Sequence, residues 1–186
     1  EQHTEWISKG KAGVPQELGV RVGLVEDQHQ FILHCRVMEK ETDDKVAVAM
    51  IRKTQENFPE LKMCSFDKGY HSPANRIDLG QMLEKAILPK KGRLTLKEKE
   101  VEGSEEFIRM RRRHSAVESA INALENHGLD KCPDHGIYGF KRYVALAVLG
   151  RNLQNLGNII QQKELKRQAR REKAKLRETS TYLKAA

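Results

Sequence analysis

Two carboxylates in this sequence stand where phosphodiester chemistry could be done. Asp67 directly follows a short apolar run, residues 61–66 (LKMCSF), and precedes Lys68, Gly69 and Tyr70. That puts it at the carboxyl end of a buried strand, where open α/β sheets gather their ligands. The plainer alternative is a turn Asp bonded to its own backbone. Glu118 lies in a helix that opens with Arg109, Arg111, Arg112, Arg113 and His114. His114, Glu118 and Asn122 are spaced four apart and share one helix face. A carboxylate just beyond an arginine run suits a metal ligand close to bound phosphate. An ordinary helix ion pair with His114 or Arg111 is its alternative. As a pair on separate elements, the two carboxylates can share hard cations such as Mg²⁺, which take oxygen ligands. Two such ions can activate an attacking water or hydroxyl and stabilise the leaving oxygen of a phosphodiester. The surrounding Lys and Arg would hold a DNA backbone.

The elements that must position these residues follow from periodicity. Residues 18–26 (LGVRVGLVE) and 30–38 (QFILHCRVM) alternate like strands across a short polar link, which predicts a β-hairpin. Gly10, Gly13 and Pro15 mark a loop before it. Residues 43–57 read as a helix, with Asp43 as its N-cap and Val46, Met50 and Ile51 at helical spacing. The strand before Asp67 comes next. A helix then runs from Pro73 to about Lys85, with Ser72 as its cap. Residues 86–88 read as one more strand, and residues 90–108 as an exposed loop. Helices are expected from Met110 to Asn126 and from Phe140 to Gln162. The sum is a mixed α/β sheet with helices against it.

Composition narrows the partners. Formal net charge is +8, and it is concentrated. Lys85 to His114 holds ten Lys/Arg against five Glu, and Lys163 to Ala186 holds nine against three. A basic loop and a basic tail beside a mildly acidic body suit a polyanion, most simply nucleic acid. A solvated helical tail and a flexible loop are the alternative. No apolar run is long enough to cross a bilayer, so no membrane partner is expected. Three widely spaced cysteines without a CxxC pair argue against zinc and for reduced thiols in the cytoplasm. The seven histidines show no metal-ligand spacing. Trp6 could stack on a base or pack over the hairpin. A start at Glu1, without Met and inside a polar stretch, reads as a fragment or a processed terminus.

Several runs together resemble one family. Cys64-Ser-Phe-Asp67-Lys68-Gly69-Tyr70-His71-Ser72-Pro73-Ala74-Asn75-Arg76 resembles the segment around the second catalytic Asp of DDE-type insertion-sequence transposases. Arg113-His114-Ser115-Ala116-Val117-Glu118-Ser119-Ala120-Ile121-Asn122 resembles their helix bearing the catalytic Glu. Arg142, Leu146, Leu149, Asn152, Leu153 and Leu156 are similar to the helix that closes the domain. Thr4 to Lys11, followed by Leu18 and Gly19, is similar to the loop and strand after the first catalytic Asp. The resemblance extends to about residue 162.

The resemblance implies an RNase H-like fold over residues 1–162, with residues 163–186 as a basic helical tail. It implies Mg²⁺- or Mn²⁺-dependent strand cleavage and strand transfer on double-stranded DNA, at element ends and at a target. Asp67 and Glu118 become metal ligands. Arg113 and the neighbouring Arg111 and Arg112 become DNA contacts, and His114 or Asn122 supports the ligands. Lys68, His71, Arg76, Lys90, Lys91 and His114 are further candidate DNA contacts from their place near Asp67, in the basic loop or beside the arginine run. The first acidic ligand has no Asp to fill it, since none precedes Asp27. Glu1 is the residue nearest the expected place, and the alternative is a ligand upstream of it. Asp43 and Asp44 fall near an acidic position seen in such proteins, with helix capping as the preferred reading. A homodimer is left open. Two rival classes remain: a catalytically inactive DNA-binding remnant lacking the first metal ligand, and a structural module whose basic tail binds protein or RNA.

Overall fold

Three hydroxyl residues mark where helices begin. Thr42 stands in extended conformation before α1 (Asp43–Asn57), Ser72 before α2 (Pro73–Met82) and Thr95 before α3 (Leu96–Gly103). The Ser72 hydroxyl accepts the Asn75 amide at 3.1 Å, and Pro73 occupies the first turn, where its missing N–H costs nothing. Thr95 and Glu98 form a reciprocal capping box. Thr42, not Asp43, is the N-cap of α1, and its side chain makes no capping bond. The capping reading of Asp43 is therefore corrected; its side chain has another neighbour, described below.

The computed structural model describes residues 1–8, 16–125 and 131–185; for residues 113–120, 122 and 177–185 it describes the backbone alone. The loop expected around Gly10, Gly13 and Pro15 lies outside the described residues. Instead of one continuous mixed sheet, the described strands form three two-stranded units. β1 (Glu5–Ser8) and β2 (Gln16–Gly19) are antiparallel, with Trp6 opposite Leu18. β3 (Arg21–Glu26) and β4 (Ile32–Met38) form the expected hairpin. The alternation over residues 18–26 thus spans two strands, divided at Val20. β5 (Met63–Ser65) and β6 (Lys85–Ile87) are parallel, joined by α2.

The hairpin turn is built by Asp27, whose Oδ1 accepts the amides of His29 and Phe31 at 2.8 Å each. Gln30 takes the left-handed conformation, φ 66°, that this tight reversal demands.

α1 holds the strand units together. Val46 and Met50 bury against Val25 and Met38 of the hairpin. One step round the helix, Ala47 and Ile51 bury against Phe66, Leu79 and Leu83, beside β5 and α2. Val46, Met50 and Ile51 each contribute about 1.5–3 kcal/mol when fully buried. Trp6, by contrast, is 67% exposed, so it does not pack over the hairpin.

A helix forms where the sequence reads as loop, and the last helix continues through the basic tail. Residues 90–108, expected as a loop, contain α3 and the start of α4 (Glu105–Leu124). The physical reason is the Thr95–Glu98 box, which satisfies the orphan amides of a short, highly charged helix. α4 packs against β5 and β6. α5 runs from Gly136 to Ala185, through the basic segment. Among the described residues, no helix is long and apolar enough to cross a membrane.

Candidate functional site

Asp67 ends the β5 segment. Phe66 before it is buried, and its amide donates to the Ile87 carbonyl at 2.9 Å, extending the strand pairing by one residue. The chain then makes a single 3₁₀ turn, Lys68–Tyr70, with the Tyr70 amide bonded to the Asp67 carbonyl at 3.1 Å. Asp67 occupies the cap position of that turn in extended conformation, yet its side chain makes no capping bond. It is exposed. The reading as a turn Asp tied to its own backbone therefore fails. A carboxylate fixed at its root by the buried Phe66 and its bond to β6 is left facing outward.

Asp43 lies against this turn. A methyl group added at Gly69 would collide with the Asp43 carboxylate. Only glycine at that position lets the start of α1 approach the Asp67 turn so closely. Burial pushes the Asp43 carboxyl above its ordinary range; Arg21 opposes this, and Asp67 and Asp44 add to it. Tyr70 is pushed up to about 12, first by burial and then by the negative charges of Asp43 and Asp67. Asp43, Asp67 and Tyr70 thus share one electrostatic neighbourhood, with Arg21 and Lys91 acting on Asp43 from the basic side.

Asn75 sets that geometry. It is 6% exposed, and its Nδ2 donates to the Asp44 carbonyl at 2.6 Å and to the Tyr70 carbonyl at 2.8 Å. One amide group thereby ties the first turn of α1 to the turn after Asp67. Phe66 and Tyr70 pack tilted beneath it, with ring centroids 5.9 Å apart.

The basic candidates divide into two groups. Lys68 and Lys91 are exposed, and Arg111 and Arg112 are exposed on α4. Arg76 and Lys90 are engaged by α3: Glu98 meets Lys90 Nζ at 2.7 Å and Arg76 Nη1 at 3.6 Å. Glu102 accepts the Lys90 amide at 2.8 Å. The bond from Lys90, then those from Thr95, hold the Glu98 carboxyl down to about 2. These residues, with His71, Leu83 and Phe107, line a cavity of about 250 Å³ between α2, α3 and β6.

Glu1 does not join the Asp67 group among the described contacts. Its carboxylate meets His3 Nε2 at 2.8 Å and accepts the Gly136 amide at 3.2 Å. That is the N-terminus of α5, where a negative charge is favoured by the helix dipole. The backbone of Glu118 lies in α4, the helix packed on the two strands nearest Asp67. The side chains of Arg113, His114, Glu118 and Asn122 lie outside the described residues.

Among the described residues, no three His, Cys, Asp or Glu side chains are grouped closely enough to hold a metal. Asp67 and Asp43 nevertheless offer the carboxylate oxygens that Mg²⁺ and Mn²⁺ prefer. Asp43, read from the sequence as a helix cap, is the second carboxylate of this neighbourhood. Its signal was the Thr42-Asp43-Asp44 string, which reads equally well as a helix start.

An acidic strand end, a second carboxylate beside it and a basic surround define a domain suited to a phosphate-bearing polymer. The family comparison agrees with the class. The profile described as Transposase DDE domain matches residues 1–153, and the chain belongs to that family. No curated protein and no solved structure matches it.

Proposed function

We propose that this domain cuts and joins DNA strands during transposition, with Asp67 at the reacting centre. The observation that carries the reading is the Asp67 carboxylate itself: anchored behind the buried Phe66, outward-facing and uncommitted to its own turn. Asp67, Asp43 and Glu118 would hold Mg²⁺ or Mn²⁺. When bound, such ions supply a polarised water or 3′-hydroxyl and charge stabilisation for the leaving oxygen.

The protein's own work is positioning. Asn75 holds the Asp43 and Asp67 segments together, so the carboxylates need little reorganisation when DNA arrives. Lys68, Lys91, Arg111, Arg112, Arg113 and His114 would contact the backbone phosphates, with His71, Arg76 and Lys90 at the margin and Asn122 supporting Glu118. An RNase H-like arrangement is part of this proposal; the chain order hairpin, helix, parallel pair suits it, while the described strand pairs stay separate. Glu1 is a weaker candidate for an acidic ligand than Asp43, because its carboxylate already serves His3 and Gly136.

A second reading has its own observation. The exposed Lys68, Lys91 and Arg111 can hold a polyanion whether or not a metal is bound, which suits DNA binding without cleavage by this chain.

The test is nicking and joining of DNA carrying element ends, with Mg²⁺ or Mn²⁺. Activity in this chain that Asp67→Asn abolishes supports the first reading. Salt-sensitive DNA binding with no nicking supports the second. Activity untouched by Asp67→Asn ends the assignment of this site.

A further inference from the structure

α3 (Leu96–Gly103) buries none of its side chains. Leu96 and Val101, its two bulky aliphatic residues, are 79% and 53% exposed. An eight-residue helix without a packed apolar face is marginal in water. Glu98, Val101 and Glu102 share one side of it, and that side borders the 250 Å³ cavity also lined by Leu83 and Phe107. What fixes α3 in place is polar. The Glu98 carboxylate takes Lys90 Nζ on both oxygens, at 2.9 and 2.7 Å, and lies 3.6 Å from Arg76 Nη1. One turn on, Glu102 Oε1 accepts the Lys90 amide at 2.8 Å.

These two carboxylates stand where phosphate oxygens could. Lys90 offers an ammonium and a backbone N–H, and Arg76 a guanidinium, a donor set that suits a phosphodiester. Lys90 and Arg76 are both partly exposed, so their pairs with Glu98 are weak and screened by salt. A DNA strand competes with the added advantage of releasing its condensed counterions. Glycine stands at both ends of the segment. Gly92 takes the left-handed conformation, φ 95°, and Gly103 is the last residue of α3; a Cβ at either would meet nothing within 4 Å.

We propose that α3 is an autoinhibitory latch: Glu98 and Glu102 occupy Lys90 and Arg76 in the free chain, and a DNA backbone displaces α3 about Gly92 and Gly103 to reach them. The inference rests on the reading of this domain as one that binds DNA, and not on its cutting DNA. Lys91, exposed next to Gly92, can hold a strand before α3 moves. Displacement opens the cavity to water over Leu83 and Phe107, which are buried while α3 is in place. Covering them again draws α3 back when DNA leaves.

Amide exchange of the whole chain, with and without a short DNA duplex, is the first measurement. The α3 amides should lose protection when duplex binds, while those of α1 keep theirs. Duplex affinity of three variants is the second. Glu98→Gln should tighten binding about three- to tenfold. Glu100→Gln removes the same charge from an exposed position of the same helix and should change it far less. Thr95→Ala changes no charge but strips the capping box, so it should also tighten binding by loosening α3. Duplex binding with α3 still protected overturns the latch and leaves the DNA reading standing. So does a gain from Glu100→Gln equal to that from Glu98→Gln, which would make the effect one of net charge. No duplex binding by the wild-type chain or any variant overturns the DNA reading, and the latch with it.

Discussion

The side-chain amide of Asn152 is paired with both backbone groups of Ile32. Its Oδ1 accepts the Ile32 amide and its Nδ2 donates to the Ile32 carbonyl, each at 2.9 Å. α5 thereby occupies the start of β4 as a neighbouring strand would, with no ladder of its own. Asn155 adds a bond from Nδ2 to the His29 carbonyl at 2.7 Å. Replacing Asn152 by Leu should leave both Ile32 groups unpaired and cost about 1–3 kcal/mol. Asn152→Asp should also destabilise, since it loses the donor. Chemical denaturation with unchanged m-value is the measurement; a cost no larger than at a surface site would show that water replaces the amide.

Asn75→Ala should be more damaging to the site than to the fold. Two carbonyls, at Asp44 and Tyr70, lose their donor. The expected cost is about 1–3 kcal/mol. The turn carrying Asp67 is then freed from α1, so divalent-ion affinity should fall further than the loss of stability predicts. Titration with Mn²⁺ in the folded baseline reads this directly. An unchanged affinity would mean that Phe66 and Tyr70 suffice to hold the turn.

Gly69→Ala should destabilise by about 1–3 kcal/mol, the usual penalty of overpacking. The obstacle is specific: the Asp43 carboxylate. Asp43→Gly should therefore relieve most of the cost in the double variant, giving a coupling of about 0.5–3 kcal/mol in a double-mutant cycle. Additive effects would show that Asp43 does not rest against this turn.

Glu98 joins a pH-dependent ion pair to the DNA contacts proposed for Lys90 and Arg76. Its folded carboxyl titrates at about 2, below the ordinary 4.5, chiefly through the bond from Lys90. The unfolded chain therefore takes up this proton first as pH falls. The stabilisation is complete above about pH 4.5 and is lost as pH falls through about 2. Carbonyl NMR of Glu98 would follow it; a midpoint near the ordinary value would dissolve the Lys90 pair. Glu98→Gln should free Lys90 and Arg76 for phosphate. We expect tighter DNA binding and a log–log salt dependence steeper by about one to two units. An unchanged slope would remove both residues from the DNA surface.

The parts legible in the sequence are those set by neighbours a few residues away. The bounds of α1, the Ser72 cap and the strand ending at Asp67 all follow from local pattern and local hydrogen bonding. α3 was equally local, since Thr95-x-x-Glu98 is a helix-start signature, but its dense charge reads as loop. Asp43 was illegible for a different reason. Its contact with Gly69 joins residues far apart in the chain, and nothing near Asp43 distinguishes a cap from a residue facing another carboxylate. The division of the strands into separate pairs was hidden too, because alternation specifies a strand's faces and not its partners.

The position of α1 has a consequence for how the molecule opens. The hairpin and the parallel pair share no ladder, so their cooperativity passes through side chains: Val46 and Met50 on one side, Ala47 and Ile51 on the other. Amide exchange should therefore report two opening units hinged on one helix. The hairpin amides and those around Asp67 would exchange at different rates while α1 stays folded, and together once it melts.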